Sequence, residues 1–247
     1  MGLRTVIGDA RRQFLSSVAR REARMTSERP LISFTFDDFP KTALFTAGAM
    51  LESLGISATF YAAAGLMGST TEVGAIFDEG DLRTLIEHGH ELASHTYSHI
   101  SAKNTKLSAY YEDVKKGEQA LARYTANCQR MNFSYPFGAV TVEAKKKVGP
   151  AVRSCRGIFP GLDGSFVDLN LLHANSLYGG TERLSAVQSL IEENARRNTW
   201  LIFYTHDVQE KPSPYGCTPG LFECVVRCAM ESGAEIVTIE KALDRIQ

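Results

Sequence analysis

An α/β fold with a mainly parallel sheet, organised as a single domain, is predicted by three features of the sequence. Apolar runs too short for helices alternate with longer amphipathic stretches along the chain, and strand-helix alternation gives parallel strands joined by right-handed crossovers. The 247 residues suit one large domain, and 44% apolar composition supplies a sizeable core. Acidic and histidine residues stand just past the ends of apolar runs, where parallel-sheet enzymes place their chemistry.

In chain order, Leu3, Ile7, Ala10, Phe14 and Val18 recur on one face of an amphipathic helix. Residues 1–30 hold seven arginines against Asp9, Glu22 and Glu28, so residues 1–29 read as a basic helical segment ahead of a domain over 30–247. The preferred reading of this helix is packing across the domain or against a second copy, which makes a homo-oligomer one expectation. Docking of residues 1–28 on an anionic membrane surface is the sharper alternative.

Residues 31–36 form a short run with Ile, Thr and Phe and no helical period, a buried strand ending at Asp37-Asp38. Further strands are expected at 58–63, 91–94, 131–135, 151–155, 171–177, 201–204 and 235–239. Helices are expected at 41–53, 81–88, 107–125, 142–148, 182–197 and 220–232, with a short one at the end; Gly55 and Gly89 mark two of the stops. Residues 157–164 form a Gly-rich loop, and residues 211–216 a loop over the cleft.

A net charge of −1 lends no support to a nucleic-acid partner. Five cysteines, an odd number without a regular framework, suggest a reducing compartment. There is no apolar stretch near the ~20 residues needed to span a bilayer and no signal-peptide core, so the expected address is cytoplasmic.

Two adjacent carboxylates at a strand end repel each other and need a metal ion or a cation nearby. His95 and His99, four residues apart in Ser94-His95-Thr96-Tyr97-Ser98-His99, can converge on one ion from a helical turn or a tight turn after a strand. Asp38, His95 and His99 then make a two-histidine, one-carboxylate site with open positions, and Asp37 is left as a base. His88, His90 and His173 read as hydrogen-bonded structural histidines, and Cys217, Cys224 and Cys228 as small apolar side chains. Trp200 and Tyr135 are candidates for stacking on a ligand.

Four ordered motifs, Thr35-Phe36-Asp37-Asp38-Phe39-Pro40, Ser94 to His99, Phe133-Ser134-Tyr135-Pro136-Phe137-Gly138 and Tyr204-Thr205-His206-Asp207, resemble those of the polysaccharide deacetylases, the NodB-homology carbohydrate esterases. The resemblance implies a distorted, incomplete (β/α) barrel of about seven strands. It implies hydrolysis of an N- or O-linked acetyl group on a saccharide or glycoconjugate, with a divalent metal on Asp38, His95 and His99. Zinc is the first expectation, and nickel, cobalt or manganese suits the same ligands. Asp37 would be the base, His206 the acid, and the Phe137 backbone N–H part of the oxyanion site.

Three departures from the family pattern stand out. Ser134 replaces an arginine that pairs with the base aspartate, and Arg156 is expected to supply that charge. Phe39 replaces a glycine, which places a ring to narrow the cleft, and Ile100 replaces a proline. Asp163 and Asp168 are positional candidates for orienting His206. The alternatives are a hydrolase of cyclic imides or other non-peptide C–N bonds, and a catalytically weak carbohydrate-binding protein.

Overall fold

The structure, a computed structural model, describes residues 3–125 and 130–247. Its strands are β1 (Glu22–Arg24), β2 (Leu31–Asp37), β3 (Thr59–Ala62), β4 (Thr70–Thr71), β5 (Gly74–Ala75), β6 (Glu91–Ser94), β7 (Phe133–Ser134), β8 (Cys155–Arg156), β9 (Phe166–Asp168), β10 (Asn175–Ser176), β11 (Trp200–Thr205) and β12 (Glu235–Ile236). The helices are α1 (Leu3–Ser17), α2 (Ala49–Ser53, continuing a π-helical stretch Ala43–Gly48), α3 (Glu79–Glu87), α4 (Leu107–Ala122), α5 (Val142–Val148), α6 (Leu184–Arg197), α7 (Pro219–Glu231) and α8 (Ile239–Leu243).

The main sheet runs β10-β11-β2-β3-β6-β7-β8, every pairing parallel, with β12 also on β2. β2 is an interior strand of this sheet and is buried throughout. One edge of β2 pairs with β11 from Leu31 to Phe36; the other meets β12 at Leu31 and Ile32, then β3 from Thr35 to Asp37. Two strands therefore share one edge, and the sheet curls into an incomplete barrel. Its two ends approach where Leu172, just ahead of β10, bridges Arg156.

The period of two along β2 assigns its side chains to two layers. Ile32, Phe34 and Phe36 pack outward under the helices; Phe34 stacks on Phe203 at 5.8 Å and Phe36 on Phe60 at 4.7 Å. Burial of each such ring stabilises the fold by roughly 1.5–3 kcal/mol. The alternate residues enter the barrel interior, where Leu31 packs with Tyr61 and Ile202 and Trp200 Nε1–H donates to Ser33 Oγ. Asp37 ends this inward series in register with Tyr61.

Four expected strands, at 131–135, 151–155, 171–177 and 235–239, are cut to the two-residue β7, β8, β10 and β12. Ala151 closes a turn onto Val148 and Leu171 one onto Asp168, so pairing begins only at Cys155 and Asn175. The antiparallel pairs β1–β9 and β4–β5 had no alternating pattern to announce them.

Residues from Leu15 onward are part of the packed fold. Leu15 is buried, and the buried Lys145 ammonium donates to the carbonyls of Leu15 and Val18 and to Asp168. Arg21 donates to the carbonyls of Val152, Arg153 and Leu169. On the helical face read from sequence, Ala10 is exposed and so is Phe14, at 57%. The side chains of Leu3 and Ile7, and Cys128, lie outside the described residues.

α4 passes so close to the histidine motif that only glycine fits. A Cβ on Gly117 would lie 2.6 Å from the backbone carbon of Thr96, and Thr96 is already left-handed at φ 62°. Gly117→Ala is therefore expected to destabilise the fold by about 1–3 kcal/mol. Urea unfolding measures this; an unchanged unfolding midpoint would contradict this packing.

Candidate active site

β2 stops at Asp37 because the next two residues turn left-handed, Asp38 at φ 60° and Phe39 at φ 55°, before Pro40. Non-glycine residues there cost about 1–2 kcal/mol each. Burial of Phe39 offsets part of that cost: its ring packs against Phe77 at 4.9 Å and Phe60 at 5.0 Å, under the floor of the cleft. The sequence expectation that Phe39 narrows the cleft is thereby corrected.

The histidine motif is a tight turn rather than a helix. His95 N–H bonds the Ala62 carbonyl at the end of β3, and Thr96 and His99 (φ 52°) are both left-handed. Asp113 of α4 holds the turn, accepting from the backbone N–H groups of Tyr97 and Ser98 and from Ser98 Oγ. Sequence spacing had not singled out Asp113.

This turn brings His99 Nε2 to 3.0 Å and His95 Nε2 to 3.5 Å from Asp38 Oδ1, with all three ligand atoms within 4.8 Å of one another. His95 Nδ1–H donates to the Ser134 carbonyl at 2.8 Å, which leaves the Nε2 lone pair facing the cluster. Asp38 Oδ1 is buried and has no hydrogen bond, the contact from His99 lying off the bonding direction. A buried carboxylate oxygen without a donor is costly, and a divalent cation among these three atoms removes the cost. The donor set therefore fits a metal.

Asp37 points into the barrel and meets Arg156, which is fully buried on β8. The β7–β8 register sets Arg156 opposite Ser134, and the guanidinium donates to Ser134 Oγ at 2.7 Å and the Gly157 carbonyl at 2.8 Å. It lies 4.9 Å from the Tyr61 ring centroid and 5.1 Å from that of Tyr204, contacts that hold a desolvated cation in place.

Burial raises the Asp37 pKa, but the charges of Arg156, His95 and His206 outweigh it and hold the carboxyl below its ordinary value. Burial likewise opposes ionisation of Asp38, yet contact with His99 and the charge of His95 bring it down to about 2. Burial pushes the His95 imidazole down to about 4. In metal-free protein, unfolded His95 takes up a proton near pH 6.5 and folded His95 only near 4. Stability is thus present above pH 6.5 and falls as pH drops through that window, by about 3 kcal/mol from this group. Asp37 and Asp38, also depressed, shift stability in the same direction at lower pH. Urea midpoints measured in chelator at pH 7, 5.5 and 4 should fall steadily; a flat profile would contradict the burial of a neutral His95.

Phe137 follows β7 in a Pro136–Gly138 turn at φ 59°, and its exposed ring lies 4.5 Å from that of His99. His206 follows β11 across the cleft. Its backbone N–H and its Nδ1–H both donate to the Tyr215 carbonyl, each at 3.2 Å. Asp37, Asp38, His95, His99, Phe137 and His206 line one cavity of about 310 Å³, with Arg156 beneath it.

The sequence reading had not assigned Glu72, Val73, Ile158, Tyr178, Tyr204 or Tyr215 to this wall, although the loop that carries Tyr215 was expected over the cleft. Among the described residues, neither lysine nor arginine lines the cavity. Other candidates lie elsewhere. Trp200 and Tyr135 are buried in the core, and Asp163 pairs with His173 and Asp168 with Lys145, so neither aspartate orients His206.

Several known proteins share this architecture. The chain is similar to the peptidoglycan-N-acetylglucosamine deacetylase PgdA of Listeria monocytogenes, 26% identical over 141 residues, which is 56% of this chain and 28% of that protein. It therefore spans little more than a quarter of the length of that relative. The fold superimposes on the chitin deacetylase of the fungal pathogen Colletotrichum lindemuthianum with a TM-score of 0.60 at 16% identity, covering 88% of this chain and 89% of that one. A family 4 acetyl xylan esterase of Clostridium thermocellum, solved in complex with a cobalt ion, superimposes with a TM-score of 0.56 at 17% identity, covering 87% and 90%. Residues 24–150 match the polysaccharide deacetylase family, and the chain, with its curled parallel barrel and four ordered motifs, belongs to that family.

Proposed function

We propose that this chain is a metal-dependent hydrolase that removes N- or O-linked acetyl groups from an uncharged saccharide or glycoconjugate. The observation that carries this reading is the buried, donor-free Asp38 oxygen between His95 and His99, in one cavity with the Arg156-held Asp37 and with His206. A wall without lysine or arginine favours a neutral sugar over a phosphorylated one.

Asp38, His95 and His99 would hold the divalent ion, which supplies the lowered pKa of a water molecule and polarises the acetyl carbonyl. Asp37, with Oδ1 held by Arg156, keeps its charge at neutral pH and takes the proton of the attacking water on Oδ2. His206, whose Nδ1–H is held by Tyr215, delivers a proton from Nε2 to the departing amine or alkoxide. The Phe137 N–H, at its left-handed turn on the cavity wall, faces the oxyanion. Exposed Phe137 and Tyr215 rings flank the cavity and offer apolar faces to a pyranose.

A catalytically weak binding protein would suit a base aspartate without a cationic partner, and the Asp37–Arg156 pair favours the enzyme reading over it. The test is acetate release from N-acetylated chito-oligosaccharides and O-acetylated xylo-oligosaccharides after chelation and return of zinc, cobalt, nickel or manganese. Metal-restored release from either class supports the reading; binding without release, or opening of a cyclic imide instead, overturns it.

A cytoplasmic address belongs to the same proposal; packing remains the preferred reading of the N-terminal helix, and membrane docking, the alternative, is confined by the buried Leu15 to the residues ahead of it. Among the described residues no helix is long and apolar enough to cross a membrane. Charge substitutions at Arg11 and Arg12, followed by vesicle co-sedimentation, test the docking better than truncation, which would also remove Leu15, β1 and Met25 from the core.

A further inference from the structure

Asp207, the residue after His206, has no part in the reaction above, yet its side chain is completely buried. A carboxylate without solvent is tolerated only when donors surround it. Its donors all come from the loop that follows. Ser213 N–H reaches Oδ2 at 2.8 Å, Ser213 Oγ–H reaches Oδ1 at 2.5 Å and Gln209 Nε2–H reaches Oδ2 at 2.8 Å. The backbone closes the same loop, with Cys217 N–H on the Asp207 carbonyl at 2.9 Å and Gly216 N–H on the Ser213 carbonyl at 3.1 Å. Gly216 allows this wrap, since a Cβ there would lie 2.3 Å from Asp207 Oδ1.

The wrap turns the Tyr215 carbonyl onto His206, where it accepts both the backbone N–H and Nδ1–H. A histidine that delivers a proton from Nε2 needs its other nitrogen fixed as Nδ1–H. We infer that Asp207 is the positioning residue of His206, acting through Ser213 and the Tyr215 carbonyl rather than by touching the imidazole. A carboxylate suits this role because it accepts three donors and presents none of its own. Replacement by an amide forces an N–H group against one of those donors.

The inference rests on the deacetylase reading, and its test separates the two. In zinc-loaded, ¹⁵N-labelled protein, long-range ¹H–¹⁵N spectra report the His206 tautomer, assigned with His206→Ala. The expected result is Nδ1–H in the wild type and loss of that single tautomer in Asp207→Asn or, should that variant not fold, in Ser213→Ala. In acetate release, Asp207→Asn should lower kcat on the order of 10²-fold with KM and metal content retained. Added to His206→Ala it should cost less than about threefold more, because both changes disable one group.

An unchanged tautomer, a rise in KM at constant kcat, or a multiplicative loss in the double variant would overturn the inference. Absence of acetate release from the wild type would sink the deacetylase reading, and the tautomer measurement would still decide the role of Asp207.

Discussion

Arg156→Ala is expected to lower turnover on the order of 10³-fold at neutral pH while leaving metal binding in place. Arg156 is the cation in direct contact with Asp37, and both are buried. Without it, burial loses its largest counterweight, and the Asp37 pKa rises, which shifts the carboxyl toward the protonated form that cannot accept the water's proton. The acid limb of the rate profile should therefore move to higher pH, and activity should recover in part as pH is raised.

The same change leaves a buried charge unpaired, a loss of about 3–5 kcal/mol in stability. A swap separates chemistry from folding. Ser134 and Arg156 are direct neighbours across the β7–β8 ladder, so Ser134→Arg combined with Arg156→Ser returns a guanidinium to Asp37 from the strand where the family carries it. Most of the lost rate should return. Near-wild-type turnover in Arg156→Ala, or an unshifted acid limb, would show that Asp37 does not depend on this pair.

How far such features can be read in advance depends on where their signal lies. β2 was legible because its apolar run ends abruptly at two acids, and β6 and α5 matched their expected limits because their patterns are local. The convergence of His95 and His99 on Asp38 followed from spacing and charge repulsion alone. Three other features depend on topology. Asp113 reaches the histidine turn because α4 packs across it. The Tyr215 carbonyl faces His206 because a buried aspartate folds the loop, and a backbone carbonyl has no side-chain signature. Phe39 appeared to face the cleft because it follows the acid pair, and two successive left-handed residues instead send its ring into the core. The β4–β5 hairpin, which brings Glu72 and Val73 to the cavity, is too short to carry a period.

The largest effect on the site itself is expected from His95→Ala. His95 supplies one of the three candidate ligand atoms found among the described residues, is almost completely buried, and has its tautomer fixed by the Ser134 carbonyl. Its loss removes a ligand and leaves Asp38 and His99 as a two-ligand site with much weaker hold on a divalent ion. Acetate release should fall to background while the chain stays folded, because the change removes a neutral imidazole and buries no new charge.

The most direct measurement is the metal content of chelator-free protein by elemental analysis, wild type beside His95→Ala, each before and after reconstitution. About one divalent ion per wild-type chain, lost in the variant, is the expected result. No bound metal in the wild type even after reconstitution, or a full complement retained by the variant, would contradict a metal centre built from Asp38, His95 and His99.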